Sequence, residues 1–194
     1  MSGTSSIPTD FILDCKGLAC PMPIVRTKKA MDQLQAGQVI EVQATDKGSL
    51  ADLQGWAGSM GHHYLGTVAD GENLRHFIRK ASSDDALGGE PFARTATNEE
   101  LQAKLASGET LTLLDVREPA EHAFGRIPDA VSIPLGELEK RANELPKDAP
   151  IYVICRTGTR SDLACRQLEG LGFVIIYNTI PGMSAWGGPL ERKA

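Results

Sequence analysis

Two cysteines of this chain stand where a thiol becomes reactive. Cys155 opens the run Cys155-Arg156-Thr157-Gly158-Thr159-Arg160, directly after the apolar segment Ile151-Tyr152-Val153-Ile154. Apolar residues then recur at Leu163, Ala164, Leu168 and Leu171. The first segment reads as a short buried strand and the spacing predicts a helix from Ser161 to Leu171, so Cys155 falls in a strand-loop-helix turn. In such a turn backbone N–H groups converge and the helix N-terminus adds partial positive charge, which favours an anion at the centre. A thiolate or a terminal persulfide is such an anion. Arg156 and Arg160 add two fixed positive charges that favour the thiolate and draw in anionic sulfur donors. Gly158 lets the loop curl where a side chain would collide. The amides from Arg156 to Ser161, with Thr157, Gly158 and Thr159 between them, form a cradle that would stabilise charge on sulfur as an oxyanion hole does on oxygen. Arg160 is placed to hold the charged end of a donor.

The second thiol lies in Gly17-Leu18-Ala19-Cys20-Pro21-Met22-Pro23. Cys20 takes the N-cap of a predicted helix and Pro21 its first position, where the missing N–H of proline costs nothing. This again sets a thiol at a positive helix end. Cys15, at the end of the first strand, is either a resolving thiol for oxidised Cys20 or, on the favoured reading, a small apolar residue. Cys165, on the helix after the Cys155 loop, is expected to pack. His62, His63, His76 and His122 lack the i, i+4 pairing or carboxylate neighbour of a metal site, so no metal and no cofactor is implied. Trp56 and Trp186 are expected to fill cores.

The elements that position these thiols fall into two groups. Between them Ala81 to Pro91 is acidic, small and turn-forming with no apolar period, which reads as a linker; the predicted boundaries are 9–80, a linker over 81–93, and 94–194. A flexible stretch of about 14 residues spans roughly 20 Å on average, so sites on its two flanks could meet. The first group reads as strand Phe11-Ile12-Leu13, helix Pro21 to Gln35, strand Val39 to Thr45, helix Ser49 to Met60, and strands Tyr64 to Ala69 and Leu74 to Lys80. That order, βαβαββ, predicts a small two-layer α/β sandwich with both helices on one face. In the second group Thr97-Asn98-Glu99-Glu100 is a capping box. Strands Leu111 to Val116, Ile151 to Ile154 and Val174 to Asn178 alternate with helices, one of them near Glu137 to Asn143. Such alternation predicts a mostly parallel sheet covered on both faces, with ligands beyond the carboxyl ends of its strands, where Cys155 lies.

The chain has 194 residues, 41% of them hydrophobic and 23% charged, and a net charge of -5. That is an ordinary globular composition, and its acidity argues against a nucleic-acid-binding or membrane-surface role. The polar start, with Pro8 and no apolar leader, and the four cysteines suggest a reducing cytoplasm.

Residues 94 to 192 resemble the rhodanese family, single-domain sulfurtransferases with a parallel-sheet α/β fold. The resemblance rests on Asp115-Val116-Arg117-Glu118-Pro119, Gly125-Arg126-Ile127-Pro128-Asp129-Ala130, the Cys155 to Ser161 loop, and Pro181-Gly182-Met183 with Trp186. Arg126 stands where that family commonly has histidine, and Asp129 and Pro181 where it has glycine. The resemblance implies a double displacement: Cys155 takes the outer sulfur of a donor such as thiosulfate as a persulfide, and a thiol acceptor removes it. Asp115, ending a neighbouring strand, is a candidate to orient Arg160 or the loop amides. Related domains with one more loop residue accommodate phosphate, whereas six residues suit sulfur. Residues 11 to 80 are similar to the TusA-like sulfur-carrier family, whose mark is Cys-Pro-x-Pro opening the first helix, here Cys20 to Pro23; Asp14, Gly17-Leu18, Thr45-Asp46 and Trp56 also match, and Lys47 departs from a common proline. That resemblance implies a persulfide carried on Cys20. The joint expectation is a sulfurtransferase whose partners are a small sulfur donor, thiosulfate or a persulfide, and thiol acceptors or relay proteins, with no nucleic acid and no membrane. The alternative expectation is a non-catalytic carrier loaded by a partner desulfurase.

Overall fold

Ile40 and Val42 alternate with polar neighbours, and the strand they form is the centre of the first half. In the computed structural model, which describes residues 7–86 and 90–192, the chain divides into two units between Ser83 and Asp84. The first contains β1 (Phe11–Asp14), α1 (Met22–Gln33), β2 (Val39–Ala44), α2 (Ser49–Ser59), β3 (His63–Asp70) and β4 (Asn73–Arg79). Its sheet runs β1-β2-β4-β3, with β1 parallel to β2 and the other pairs antiparallel. Ile40, Val42 and Ile78 from the sheet meet Ala30, Met31 and Leu34 from α1 and its end, and Leu53 and Ala57 from α2. This is the expected two-layer sandwich. Cys15 lies in the same core with no exposure, and its desolvation raises the thiol's pKa.

His76 pairs with Val42 across the sheet and is fully buried. Its Nε2 meets Ser49 Oγ at 2.9 Å and its Nδ1 meets Tyr64 OH at 2.7 Å. Ser49 donates its only hydroxyl proton to Asp46 O at 2.6 Å, so Nε2 carries the ring proton and Nδ1 accepts. Burial lowers this imidazole to about 4 from 6.5. Between those values the unfolded chain binds a proton that the native one refuses, so stability is lost as pH falls, by about 1.4 kcal/mol per pH unit. The urea midpoint of this unit, followed by Trp56 fluorescence in a Trp186→Phe background, should therefore drop from pH 6.5 towards 4. His76→Gln should flatten that drop.

The second unit contains β5 (Thr95–Thr97), α3 (Asn98–Ser107), β6 (Thr112–Asp115), α4 (Pro119–Phe124), β7 (Val131–Ser132), α5 (Leu138–Arg141), β8 (Ile151–Ile154), α6 (Thr159–Gly170) and β9 (Ile176–Ile180). The five strands are parallel, in the order β5-β9-β8-β6-β7. Alternate residues of β8 enter opposite cores: Ile151 and Val153 pack with Leu138, Ala164 and Leu168, and Tyr152 and Ile154 with Leu101 and Leu113. Both faces are thus covered, as a parallel sheet requires.

Several boundaries differ from the sequence reading. The helix after Cys155 starts at Thr159 rather than Ser161, and the last strand begins at Ile176 rather than Val174. The short β5, β7 and α4 were not expected from periodicity. They have only three, two and six residues, too few for a period to show. Asp129 adopts φ 61, and aspartate is among the few residues other than glycine that visit this region. The stretch expected as linker over 81–93 is anchored near its end. Phe92, large and apolar in a polar run, is buried in the core with Leu114, and its N–H donates to Asp162 Oδ1. Among the described residues no helix is long and apolar enough to cross a membrane.

Candidate functional site

β8 runs into the Cys155 loop, and α6 leaves it. Cys155 is fully buried, and the Gly158 N–H donates to its Sγ at 3.1 Å. Ser161 Oγ is in hydrogen-bond contact with Sγ at 3.3 Å and donates to Asn178 Oδ1 at 2.6 Å, its single proton serving one acceptor at a time. Asn178 Nδ2 donates to Gly158 O at 3.1 Å, which fixes the orientation of that amide. Asn178, on β9, thus joins the loop to the first turn of α6. Gly158 has φ 96, and a Cβ there would lie 2.8 Å from Ile180 Cγ2. Arg156 and Thr157 are exposed at the mouth, and Thr157 Oγ1 and Thr159 Oγ1 are 3.2 Å apart.

A second turn clamps the loop from outside. Met183 N–H donates to Cys155 O and Ser184 N–H to Arg156 O, each at 2.9 Å. Buried Asn98 holds that turn by both edges of its amide, donating to Gly182 O at 2.9 Å and accepting from Gly182 N–H at 3.3 Å. Trp186, just beyond, is half-buried and packs against the core of Leu101, Leu113 and Ile154, as expected. Its indole N–H donates to Pro189 O at 3.2 Å and its ring lines a cavity of about 380 Å³ with Leu105, Ile127 and Pro128.

Arg160 does not face outward to a donor. It is 2% exposed, and its two terminal nitrogens donate to the two oxygens of Glu121 at 2.7 and 2.9 Å. Burial alone would lower the pKa of this guanidinium, but the hydrogen bonds and charge of Glu121 more than offset it and raise it. The expected role of Arg160 in gripping the donor's charged end is therefore corrected: the exposed cation of the loop is Arg156. Asp115, expected to orient Arg160 or the loop amides, turns instead to two near neighbours in the chain. Asp115 is held by Arg117, at 2.6 Å from Nη2, and by His122 Nδ1 at 2.9 Å. Burial would raise this carboxyl, yet Arg117 and His122 bring it down to about 2. Arg117 also donates to Gly125 O at 2.7 Å. Asp115 thus braces α4, and α4 carries the Glu121 that orients Arg160.

Glu121, Asn178 and Asn98 were missed. Glu121 left a faint signal, since Glu118-Pro119-Ala120-Glu121 has the spacing of a capping box, and Glu118 N–H does donate to Glu121 Oε2 at 3.0 Å. Asn178 and Asn98 left none beyond being polar in apolar surroundings. Cys165 is buried and its thiol raised by desolvation, as expected of a packing residue.

Cys20, in the first unit, is exposed. It is not the N-cap: the N–H of Met22 closes a turn on Ala19 O, so α1 begins at Met22 with Pro21 as cap. The Cys20 N–H donates to Asp46 Oδ2 at 3.3 Å. The thiol is not activated by the helix end. The Asp52 carboxylate, aided by desolvation and the charge of Asp46, raises it instead. Among the described residues no group of three His, Cys, Asp or Glu side chains is placed to hold a metal.

A model of the family "Sulfurtransferase TusA" matches residues 11–80, and a model of the rhodanese-like domain matches residues 97–188. YrkF of Bacillus subtilis is 52% identical over 187 residues, covering 93% of this chain and 97% of that protein. A sulfurtransferase of Allochromatium vinosum is 40% identical over 89 residues, 46% of this chain and 83% of its own. The sulfur carrier protein TusA of the same organism is 38% identical over 72 residues, 37% of this chain and 95% of its own.

Proposed function

This chain belongs to the TusA and rhodanese-like families, one in each unit, and from that premise we propose that it takes sulfane sulfur onto Cys155 and passes it to a thiol acceptor through Cys20. The observation that carries the reading is the Cys155 sulfur at the mouth of α6 with an amide N–H directed at it. In the first step the Cys155 thiolate attacks the outer sulfur of a donor such as thiosulfate. The S–S bond breaks, sulfite leaves with the bonding pair, and a persulfide remains. The Gly158 amide and the α6 terminus favour that anion. In the second step an acceptor thiolate attacks the outer persulfide sulfur and Cys155 leaves as thiolate, so no net oxidation occurs.

Cys20 suits the acceptor and carrier role in a different way. It is exposed to partners, and the two neighbouring carboxylates keep its empty form a neutral thiol. The chemistry runs on thiols alone and fits a reducing compartment such as the cytoplasm.

Intact-mass and peptide-mass measurement after thiosulfate treatment tests this. The full chain should gain one sulfur at Cys155 and one at Cys20, and Cys155→Ser should gain neither. Sulfur reaching Cys20 in Cys155→Ser only when a desulfurase is supplied would instead select a carrier loaded by a partner. Sulfur reaching Cys20 from thiosulfate in that variant would show two independent acceptors.

A further inference from the structure

Arg160 is answered by a second carboxylate that the catalytic fold does not supply. Asp85, on the segment that leads into the second unit, sets Oδ1 at 3.4 Å from Arg160 Nε. Its side chain is 17% exposed. Each of the three guanidinium nitrogens therefore faces a carboxylate oxygen, Nη1 and Nη2 towards Glu121 and Nε towards Asp85. The segment is held there at further points: Arg166, on α6, donates to Glu90 O, and Asp162 accepts from Phe92 N–H. Arg160 is joined in the chain to Ser161, whose Oγ lies 3.3 Å from the Cys155 sulfur. A charge placed on Arg160 is thus felt at the reacting atom, and in a buried setting it is weakly screened.

We propose that Asp85 is a specificity-determining residue, whose carboxylate adds a negative charge to an Arg160–Glu121 pair that is already neutral and so turns the Cys155 site away from dianionic donors. The favoured donor class is then sulfane sulfur on a leaving group of low charge, such as a persulfide on a thiol, with thiosulfate a working donor of higher KM. Glu121 cannot fill this role, because it is the support that keeps Arg160 in place. Asp85 meets the guanidinium at Nε, so its charge is removable while Glu121 still holds both terminal nitrogens. This deepens the assignment of Cys155 as the sulfur acceptor and rests on it.

The test compares the full chain with Asp85→Asn and Asp85→Glu. Its first readout needs no turnover: the ratio of Cys155 alkylation by iodoacetate, an anion, to that by iodoacetamide, its neutral analogue, read by peptide mass. Asp85→Asn should raise this ratio about fivefold by removing one negative charge near the sulfur, and Asp85→Glu should restore it. The KM for thiosulfate should fall by a similar factor with kcat unchanged. An unchanged ratio overturns the proposal, whatever the activity. Equal change with both reagents overturns it as well, since that is a structural effect. A raised ratio without any sulfur transfer from thiosulfate supports the charge role and removes thiosulfate from the reading of the reaction.

Discussion

Glu121→Ala is expected to cost the second unit about 3–5 kcal/mol, the usual loss when one partner of a buried ion pair is removed, and with it most sulfur transfer at Cys155. Glu121 makes two hydrogen bonds to Arg160 and one to the Glu118 N–H. Among the described residues alanine leaves the buried guanidinium only the 3.4 Å contact to Asp85, and it opens the first turn of α4. Because Arg160 stands in the first turn of α6, its release also lets the helix end that faces Cys155 move. Glu121→Gln keeps the shape and one acceptor oxygen, so it should lose less stability while still losing the charge. Urea denaturation read by Trp186 fluorescence in a Trp56→Phe background, with persulfide formation by mass, separates the two. Full activity in Glu121→Ala would show that Arg160 needs no orienting partner.

The two reactive thiols were visible in the sequence, and the residues that hold them in place were not. Cys155 and its loop announce themselves because strand, glycine and helix succeed one another within a few residues, and all of their geometry is local. The Cys-Pro-x-Pro segment does so for the same reason. What holds the loop is non-local: Glu121, Asn178 and Asn98 come from three other segments, and no periodicity or spacing links them to Cys155. Arg160 misled for a related reason. An arginine in an anion-binding loop reads as a ligand for the anion, and only the fold shows that two acidic residues have already taken it. Cys20 misled through a shift of one residue in the start of α1, which moved the thiol off the cap and next to Asp46 and Asp52. The linker was read from composition, and one phenylalanine was enough to fasten its end to a core.

Gly182→Ala is the substitution that should damage the Cys155 site most for its size. Gly182 has φ 85, where an L side chain is strained, and a Cβ there would lie 2.6 Å from Cys155 O and 3.0 Å from Arg156 O. Both obstacles are backbone, so neither can rotate away. Either the turn at 182–184 retreats, breaking the hydrogen bonds to Cys155 O and Arg156 O and the grip of Asn98, or the first two peptides of the loop turn and carry the amides out of aim. Strain and overpacking together should cost about 2–4 kcal/mol. Persulfide formation should fall by about a hundredfold, the scale on which a displacement of about 1 Å acts on positioned groups. Gly187→Ala is the control, because nothing lies within 4 Å of its Cβ position. It should leave stability and transfer as they were. Retained transfer in Gly182→Ala, with the stability loss still present, would mean that Asn178 and α6 alone shape the cradle and that the clamp serves only folding.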